Sequence, residues 1–185
     1  MHDKREWLIV LGVWLGLCAV PAYATPATWL LVEANTHTLT VLQGKTVVDK
    51  FDYVALGRGG TTSQRQRGDN STPLGEFHIA WINWKSPFHI FFGLDFPTID
   101  LADQAYREKR IDRETYDSIL DALRERRLPP QNTPLGGRIG IHGLGRGSLL
   151  IHHEFNWTKG CVALTNPEIE RLARWVQIGT RVVIR

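Results

Sequence analysis

Apolar and polar residues alternate along the chain from residue 28, as they do in half-buried strands. The alternating runs are rich in β-branched and aromatic residues and are separated by short polar turns such as Gln43-Gly44-Lys45. This pattern predicts an antiparallel meander. A polar loop over residues 58–71 follows, and Pro73-Leu74-Gly75 turns it into another strand. The predicted strands are 29–33, 38–42, 46–48, 51–55 and 76–81.

Helical periodicity replaces this alternation between residues 85 and 137. Asp100 and Asp112 are candidate N-caps of two short helices, and Pro129-Pro130 ends the second helix. Each helix carries one apolar face and one charged face. The segment 99–128 is therefore predicted to be a helical insertion, either docked on the sheet by its apolar stripe or acting as a lid. Because it directly precedes the next strand, we expect residues 101–128 to cover part of a functional cleft.

Strand character returns over residues 138–142, and a glycine-rich loop follows. A second apolar run covers residues 160–164. Asn166 is then a candidate N-cap with Pro167 at the first helical position, and residues 181–184 form a closing strand. The whole pattern predicts a mainly β protein with peripheral helices, of the α+β class.

Length and composition bound the kinds of protein that fit. The chain has 185 residues, of which 43% are hydrophobic and 22% charged, which suits one globular domain. Its net charge is +3, and positively and negatively charged residues are interspersed along the chain. No basic stripe of the kind that binds nucleic acid is present, so nucleic-acid partners are not expected. The oligomeric state is left open by the sequence.

The first 24 residues resemble an export signal. Lys4 and Arg5 precede an apolar run over residues 7–20, which is shorter than the roughly 20 residues of a membrane-spanning helix. Residues 22–24, Ala-Tyr-Ala, match a signal-peptidase site. We expect a signal peptide at 1–24, an exported domain at 25–185, and a location in the periplasm or cell envelope. The alternative is an uncleaved tether, which would be the only contact with a membrane.

Cleavage would remove Cys18 and leave Cys161 as a solitary thiol in an oxidising compartment. If Ile141 and Val162 face the core, strand alternation directs His142 and Cys161 away from it. An imidazole that accepts the thiol proton makes cysteine a nucleophile. His142 is thus the candidate general base and acid, and Cys161 the candidate nucleophile.

Two glycines beside this pair have predicted roles. The Gly143 carbonyl is a candidate acceptor that would orient the His142 ring. Gly160 allows close approach of the backbone, so that amide N–H groups, including that of Cys161, would face a developing oxyanion. A zinc site built from His142, His152, His153, Glu154 and Cys161 is an alternative, but the spacing matches no common zinc motif. We therefore expect neither a metal nor another cofactor.

These residues resemble the signature of the YkuD-type L,D-transpeptidases, in which a histidine is followed at limited spacing by Ser/Thr-His-Gly-Cys. Here His142 is followed by Thr158-Lys159-Gly160-Cys161-Val162. The stretches 54–57, 68–69 and 72–77 resemble the early strand, loop and Thr-Pro-x-Gly-x-Phe turn of the family, and 166–179 resembles its trailing helix. The resemblance implies a β-sandwich-like catalytic domain over residues 25–185.

The resemblance also implies a reaction on peptidoglycan stem peptides. Cys161 would attack the third residue of a tetrapeptide, release terminal D-alanine and form a thioester, which an amine acceptor would then take up. Hydrolysis of the same thioester, as in an L,D-carboxypeptidase or amidase, and a non-catalytic wall-binding domain are the alternatives.

Two departures from the family pattern bear on substrate handling. Lys159 stands where a second histidine is common, and Ala163 stands where many members have an arginine. Arg146 and Lys159 are candidate replacements for that cation, and together with Thr158 they are the predicted substrate-binding residues.

Overall fold

A computed structural model describes residues 27–185, and the predicted signal peptide lies outside the described residues. This part of the chain forms ten strands and four helices. The strands are β1 (Thr28–Glu33), β2 (Thr38–Gln43), β3 (Thr46–Phe51), β4 (Thr61–Thr62), β5 (Thr72–Pro73), β6 (Gly75–Ser86), β7 (His89–Leu94), β8 (Gly140–His142), β9 (Val162–Ala163) and β10 (Arg181–Ile184). The helices are α1 (Ile99–Arg107), α2 (Arg113–Arg124), α3 (Leu149–Glu154) and α4 (Asn166–Leu172).

Eight of the strands form one mixed sheet in the order β3-β2-β1-β10-β6-β7-β8-β9, and β4 pairs with β5 separately. The predicted meander is present as the antiparallel run β1-β2-β3. The closing strand β10 lies inside the sheet, parallel to β1 and antiparallel to β6. The fold is mainly β with peripheral helices, so the predicted α+β class is confirmed.

The sheet curls until its two ends are joined by the segment that follows β3. Ala55 and Ala163 exchange backbone hydrogen bonds of 3.0 and 2.8 Å. The predicted strand 51–55 is therefore wrong in its bounds, because β3 ends at Phe51 and the next residues cross to β9. This crossing encloses one apolar core, to which Leu30, Val41, Phe92, Ile141 and Val162 contribute.

The two helices of the insertion dock on this core by their apolar stripe. Ala102, Ala105 and Ile119 are fully buried. Asp112 caps α2 as predicted, because its carboxylate accepts from the Thr115 N–H at 2.8 Å. The N-cap predicted for α1 is wrong: Thr98, not Asp100, precedes the helix, and its Oγ1 accepts from the Leu101 N–H.

The N-cap predicted for α4 is one residue late. Thr165 is the N-cap, and both its backbone N–H and its hydroxyl donate to the Glu168 carboxylate, at 3.0 and 2.6 Å. Asn166 uses its side chain elsewhere: its amide group donates to the Gly145 carbonyl and accepts from the Gly145 N–H, both at 2.8 Å. Asn166 therefore fixes the loop that follows β8.

The pattern did not predict the short strands β4 and β5, nor two elements that border the site. β7 lies within the region predicted as helical insertion and connection, and it pairs with β6 on one side and β8 on the other. The short helix α3 follows the predicted glycine-rich loop and carries His152 and His153. Both elements border the site described next.

Candidate active site

Strand register brings His142 and Cys161 to neighbouring positions. β8 and β9 are parallel, with Ile141 paired to Val162 and His142 to Ala163. Cys161 directly precedes β9, and alternation directs its side chain to the same face as those of Ala163 and His142. Residues that are 19 positions apart in the chain thus project side by side, as the alternation of side chains along the two apolar runs predicts.

His142 is enclosed by aromatic side chains and is only 2% exposed. The ring of Phe88 lies 4.4 Å from the imidazole centroid, and those of Phe91 and Trp157 lie at 5.7 Å. This burial lowers the pKa of His142 to about 4, although the hydrogen bond to the Gly143 backbone opposes the change. The imidazole is therefore neutral at pH 7 and able to accept a proton.

The tautomer of His142 follows from one contact. Its Nδ1 lies 2.7 Å from the Gly143 carbonyl oxygen. Because a carbonyl oxygen only accepts, Nδ1 carries the hydrogen and Nε2 keeps its lone pair. The contact expected for Gly143 is present, and it leaves Nε2 as the basic atom of the ring.

Cys161 is the free cysteine of residues 27–185, and the residue is half-buried. Its thiol donates to the Arg138 carbonyl oxygen across 3.6 Å. Burial raises the pKa of Cys161 to about 11, while hydrogen bonding to the Gly140 backbone and the charge of Arg65 act in the opposite direction. The resting site therefore holds a neutral thiol beside a neutral imidazole.

A tight turn over residues 158–161 presents the cysteine. The Thr158 hydroxyl donates to the Cys161 carbonyl at 2.7 Å and accepts from the Gly160 N–H at 3.0 Å. Gly160 has a φ of +120°, and a Cβ there would lie 2.6 Å from the Ser71 carbonyl oxygen. Glycine is thus required by both conformation and space. In this turn the Gly160 N–H is occupied by Thr158, which leaves the Cys161 N–H as the candidate oxyanion donor.

The predicted substrate-binding residues lie in different environments. Thr158 is buried and its hydroxyl holds the turn, whereas Lys159 and Arg146 are exposed. Their binding roles stay predictions. Ala163 is fully buried between its partners Ala55 and His142.

Arg65 is a site residue that the sequence did not single out. It is 5% exposed, and its Nη2 donates to the Lys159 carbonyl at 3.1 Å. Its Nη1 donates to Asp69 at 2.7 Å and to the Ser71 carbonyl. Burial lowers the pKa of Arg65, whereas Asp69 and Cys161 act to raise it.

The histidines of α3 do not assemble into a metal centre. Within residues 27–185, no three His, Cys, Asp or Glu side chains are grouped as metal ligands. His152 is 3% exposed and accepts a hydrogen bond from the Trp157 indole at 3.4 Å. Burial lowers its pKa, with His153 adding to the effect. His152 therefore supports the aromatic wall around His142.

Residues 27–184 match the YkuD family, which is described as the L,D-transpeptidase catalytic domain. The match covers most of the chain. The chain belongs to the YkuD family. None of the curated proteins compared with it matches significantly in sequence.

Solved structures share the fold of this YkuD domain. The helical cell shape determining protein Pgp2 of Campylobacter jejuni is 20% identical, with a TM-score of 0.56 over 88% of this chain and 49% of that one. Bd1075 of Bdellovibrio bacteriovorus is 17% identical, with a TM-score of 0.55 over 87% of this chain and 48% of that one. The YkuD domain thus spans about half the length of the solved structures that it matches. No helix among its described residues is long and apolar enough to cross a membrane.

Proposed function

We propose that this YkuD domain is an exported, cysteine-dependent L,D-transpeptidase that acts on peptidoglycan stem peptides. One observation carries the proposal: Cys161, which directly precedes β9, projects from the same face as the buried, oriented imidazole of His142 on the neighbouring strand β8. The family match supports the reaction class. Export is supported by residues 1–24, and stem peptides lie outside the cytoplasmic membrane, where such a domain would meet them.

The first half of the proposed reaction is acylation of Cys161. His142 Nε2 takes the thiol proton as Sγ attacks the carbonyl carbon of the third stem residue, a diamino acid. The Cys161 N–H would stabilise the oxyanion. When the tetrahedral intermediate collapses, His142 returns the proton to the departing amine. The peptide bond is broken, D-alanine leaves, and a thioester retains the acyl group.

The second half transfers the acyl group to an amine. His142 Nε2 accepts a proton from the side-chain amine of another stem as that nitrogen attacks the thioester carbonyl. The C–S bond breaks, the thiol recovers its proton, and an amide crosslink forms. No nucleotide is consumed, because the thioester conserves the energy of the original peptide bond.

The resting protonation states define how the pair acts. Because the pKa of His142 is lowered to about 4 and that of Cys161 is raised to about 11, a stable ion pair is not the resting form. The proton moves as the new C–S bond develops, so His142 is a general base for the attack. The same low pKa makes the imidazolium a strong acid towards the leaving amine.

The decisive experiment incubates the protein with purified disaccharide tetrapeptide and determines product masses. A crosslinked dimer with loss of D-alanine is expected. Accumulation of tripeptide monomer would identify the hydrolytic alternative, an L,D-carboxypeptidase or amidase, and the absence of any product would favour a wall-binding domain. Cys161→Ala is expected to abolish product formation.

A second readout follows acylation alone. Exposure to a carbapenem, an acylating agent for cysteine transpeptidases of this family, is expected to add its mass to the protein. The adduct should be absent in Cys161→Ala and retained in the matched control Cys18→Ala. An adduct that persists in Cys161→Ala would reject Cys161 as the nucleophile.

A further inference from the structure

The guanidinium of Arg65 lies beneath the turn that presents Cys161. A Cβ added to Gly160 would come within 2.7 Å of Arg65 Nη1, so the turn backbone rests directly on this cation. One added to Gly136 would lie 3.5 Å from Nη2, on another side of the group. Arg65 is therefore enclosed between two glycines that leave room for it.

The hydrogen bonds of Arg65 join two segments that are distant in sequence. Nη2 reaches the Lys159 carbonyl in the cysteine turn, and Nη1 reaches Asp69 and the Ser71 carbonyl in its own loop. The Arg65 carbonyl in turn accepts from Nη1 of Arg110, which lies in the connection between the two insertion helices, at 3.4 Å. Hydrogen bonds thus fix both the guanidinium and the backbone of Arg65.

The donor capacity of Arg65 is not fully used by these contacts. Its Nε is buried and has no hydrogen-bond partner in the structure. A buried cation is costly unless an anion compensates it. Asp69 is one such anion, and its side chain is 26% exposed. A thiolate at Cys161 would be a second anion close to the same cation.

We propose that Arg65 is a positioning residue that holds the Cys161 turn and stabilises the Cys161 thiolate by its charge. This inference deepens the proposed function and rests on Cys161 as its nucleophile. Arg65 touches no substrate atom in this role. It lowers the free energy of the negative charge that develops on the sulfur as His142 takes the proton, because the guanidinium is buried directly beneath the turn.

Other charged groups near the sulfur come from the surrounding elements. His142 faces it from β8 and is neutral near pH 7. Asp69 opposes Arg65 from the same loop. Lys159 and Arg138 flank the turn with exposed side chains, where water screens their charges. Arg65 is the buried cation of this group, so its charge should dominate the ionisation of the thiol.

Alkylation of Cys161 by iodoacetamide tests the proposal without any stem peptide. The rate is measured on the full chain from pH 6 to pH 10, and the Cys161 peptide is resolved from the Cys18 peptide by mass. Arg65→Gln is expected to slow alkylation at pH 8 about threefold or more. A rise of one unit in pKa cuts the thiolate fraction about tenfold, and the more basic thiolate recovers part of that loss.

Asp69→Asn gives a change of opposite sign. It keeps the shape of the side chain but removes the charge that compensates Arg65, so alkylation of Cys161 is expected to become faster. Arg174→Gln, which removes an exposed cation at a position beyond α4, is the control and should leave the rate unchanged. Asp69 also accepts from the Gln66 and Ser71 N–H groups, so the pH profile is compared as well as the rate. A charge effect moves the midpoint of the profile to lower pH, whereas a loosened loop raises the rate without moving the midpoint.

Two results would overturn the proposal. One is a folded Arg65→Gln protein with the wild-type pH profile, and the other is an Asp69→Asn protein that reacts no faster than wild type. If Arg65→Gln does not fold, Asp69→Asn decides alone. Because alkylation requires no substrate, a failure here would leave crosslinking by the wild-type protein intact, and a failure of the proposed function would leave this result standing.

Discussion

Single residues at the site are constrained by contacts that a sequence presents only in part. The sequence allowed candidate roles to be assigned to Cys161, His142 and Gly143, because a reactive pair on strands and a following carbonyl are local features. No role could be assigned to Arg65, because its partner Lys159 is 94 positions away and the intervening strands decide whether the two meet. A polar residue in a loop is usually solvated, and only the fold makes this one buried.

At Gly160 we predict that Gly160→Ala destabilises the protein by about 3 kcal/mol and abolishes activity. The positive φ alone costs about 1 kcal/mol for a non-glycine residue, and a Cβ at 2.6 Å from the Ser71 carbonyl adds a clash with backbone. Gly179→Ala is the matched control, since φ is +88° there and a Cβ would have nothing within 4 Å. Urea unfolding and a product assay measure both effects. Equal destabilisation of the two variants would contradict the close approach.

At the scale of elements, the regular strands and the insertion helices were predictable, whereas their neighbours were not. β7 has apolar side chains on both faces and therefore lacks the alternation that marks a half-buried strand. Helix α3 has six residues, too few for helical periodicity to emerge. The N-caps of α1 and α4 were misplaced by one or two positions because several residues near each helix start are able to cap it.

The loop after β8 provides a prediction at this scale. Asn166→Ala removes both hydrogen bonds to Gly145 and is expected to cost about 2 kcal/mol of unfolding free energy. The Gly145 amide should also exchange its hydrogen faster, because the loop is released from α4. Asn132→Ala, at an exposed position, is the control. Unchanged exchange at Gly145 in Asn166→Ala would show that the loop is held by other contacts.

At the scale of the whole molecule, the fold class was predictable and the sheet order was not. Alternation fixes which residues face the core, but it does not say that β10 lies between β1 and β6. The aromatic enclosure of His142 is likewise a property of the assembled fold, since Phe88 and Phe91 come from the β6–β7 hairpin and Trp157 from the segment before β9.

This enclosure makes stability depend on pH. The unfolded chain binds a proton at His142 near pH 6.5, whereas the folded protein does so only near pH 4. Between these pH values the unfolded state binds more protons than the folded state. The contribution of His142 to the free energy of unfolding is therefore fully present above pH 6.5 and falls as the pH decreases towards 4. We predict that titration of His142 lowers the free energy of unfolding by about 3 kcal/mol over this interval. His152, whose pKa is also lowered, acts in the same direction.

Urea unfolding at pH 7.5 and pH 4 measures this dependence. His142→Gln should lose about 3 kcal/mol less than wild type over the same interval, because the titrating group is gone. Asn132→Ala, at an exposed position that does not titrate, should behave like wild type. The same pH dependence in His142→Gln and wild type would contradict the prediction.

The position of β10 has a further consequence for how the molecule is made. β1 and β10 pair along their lengths although about 150 residues separate them, and β6 reaches β1 only through β10. While the ribosome is still synthesising the chain, the halves of the sheet on either side of β10 have no backbone partners for each other. Such high contact order makes assembly slow and late. The half of the sheet that carries β8 and β9 is therefore joined through β10 to the half that carries β1 only after this strand has emerged.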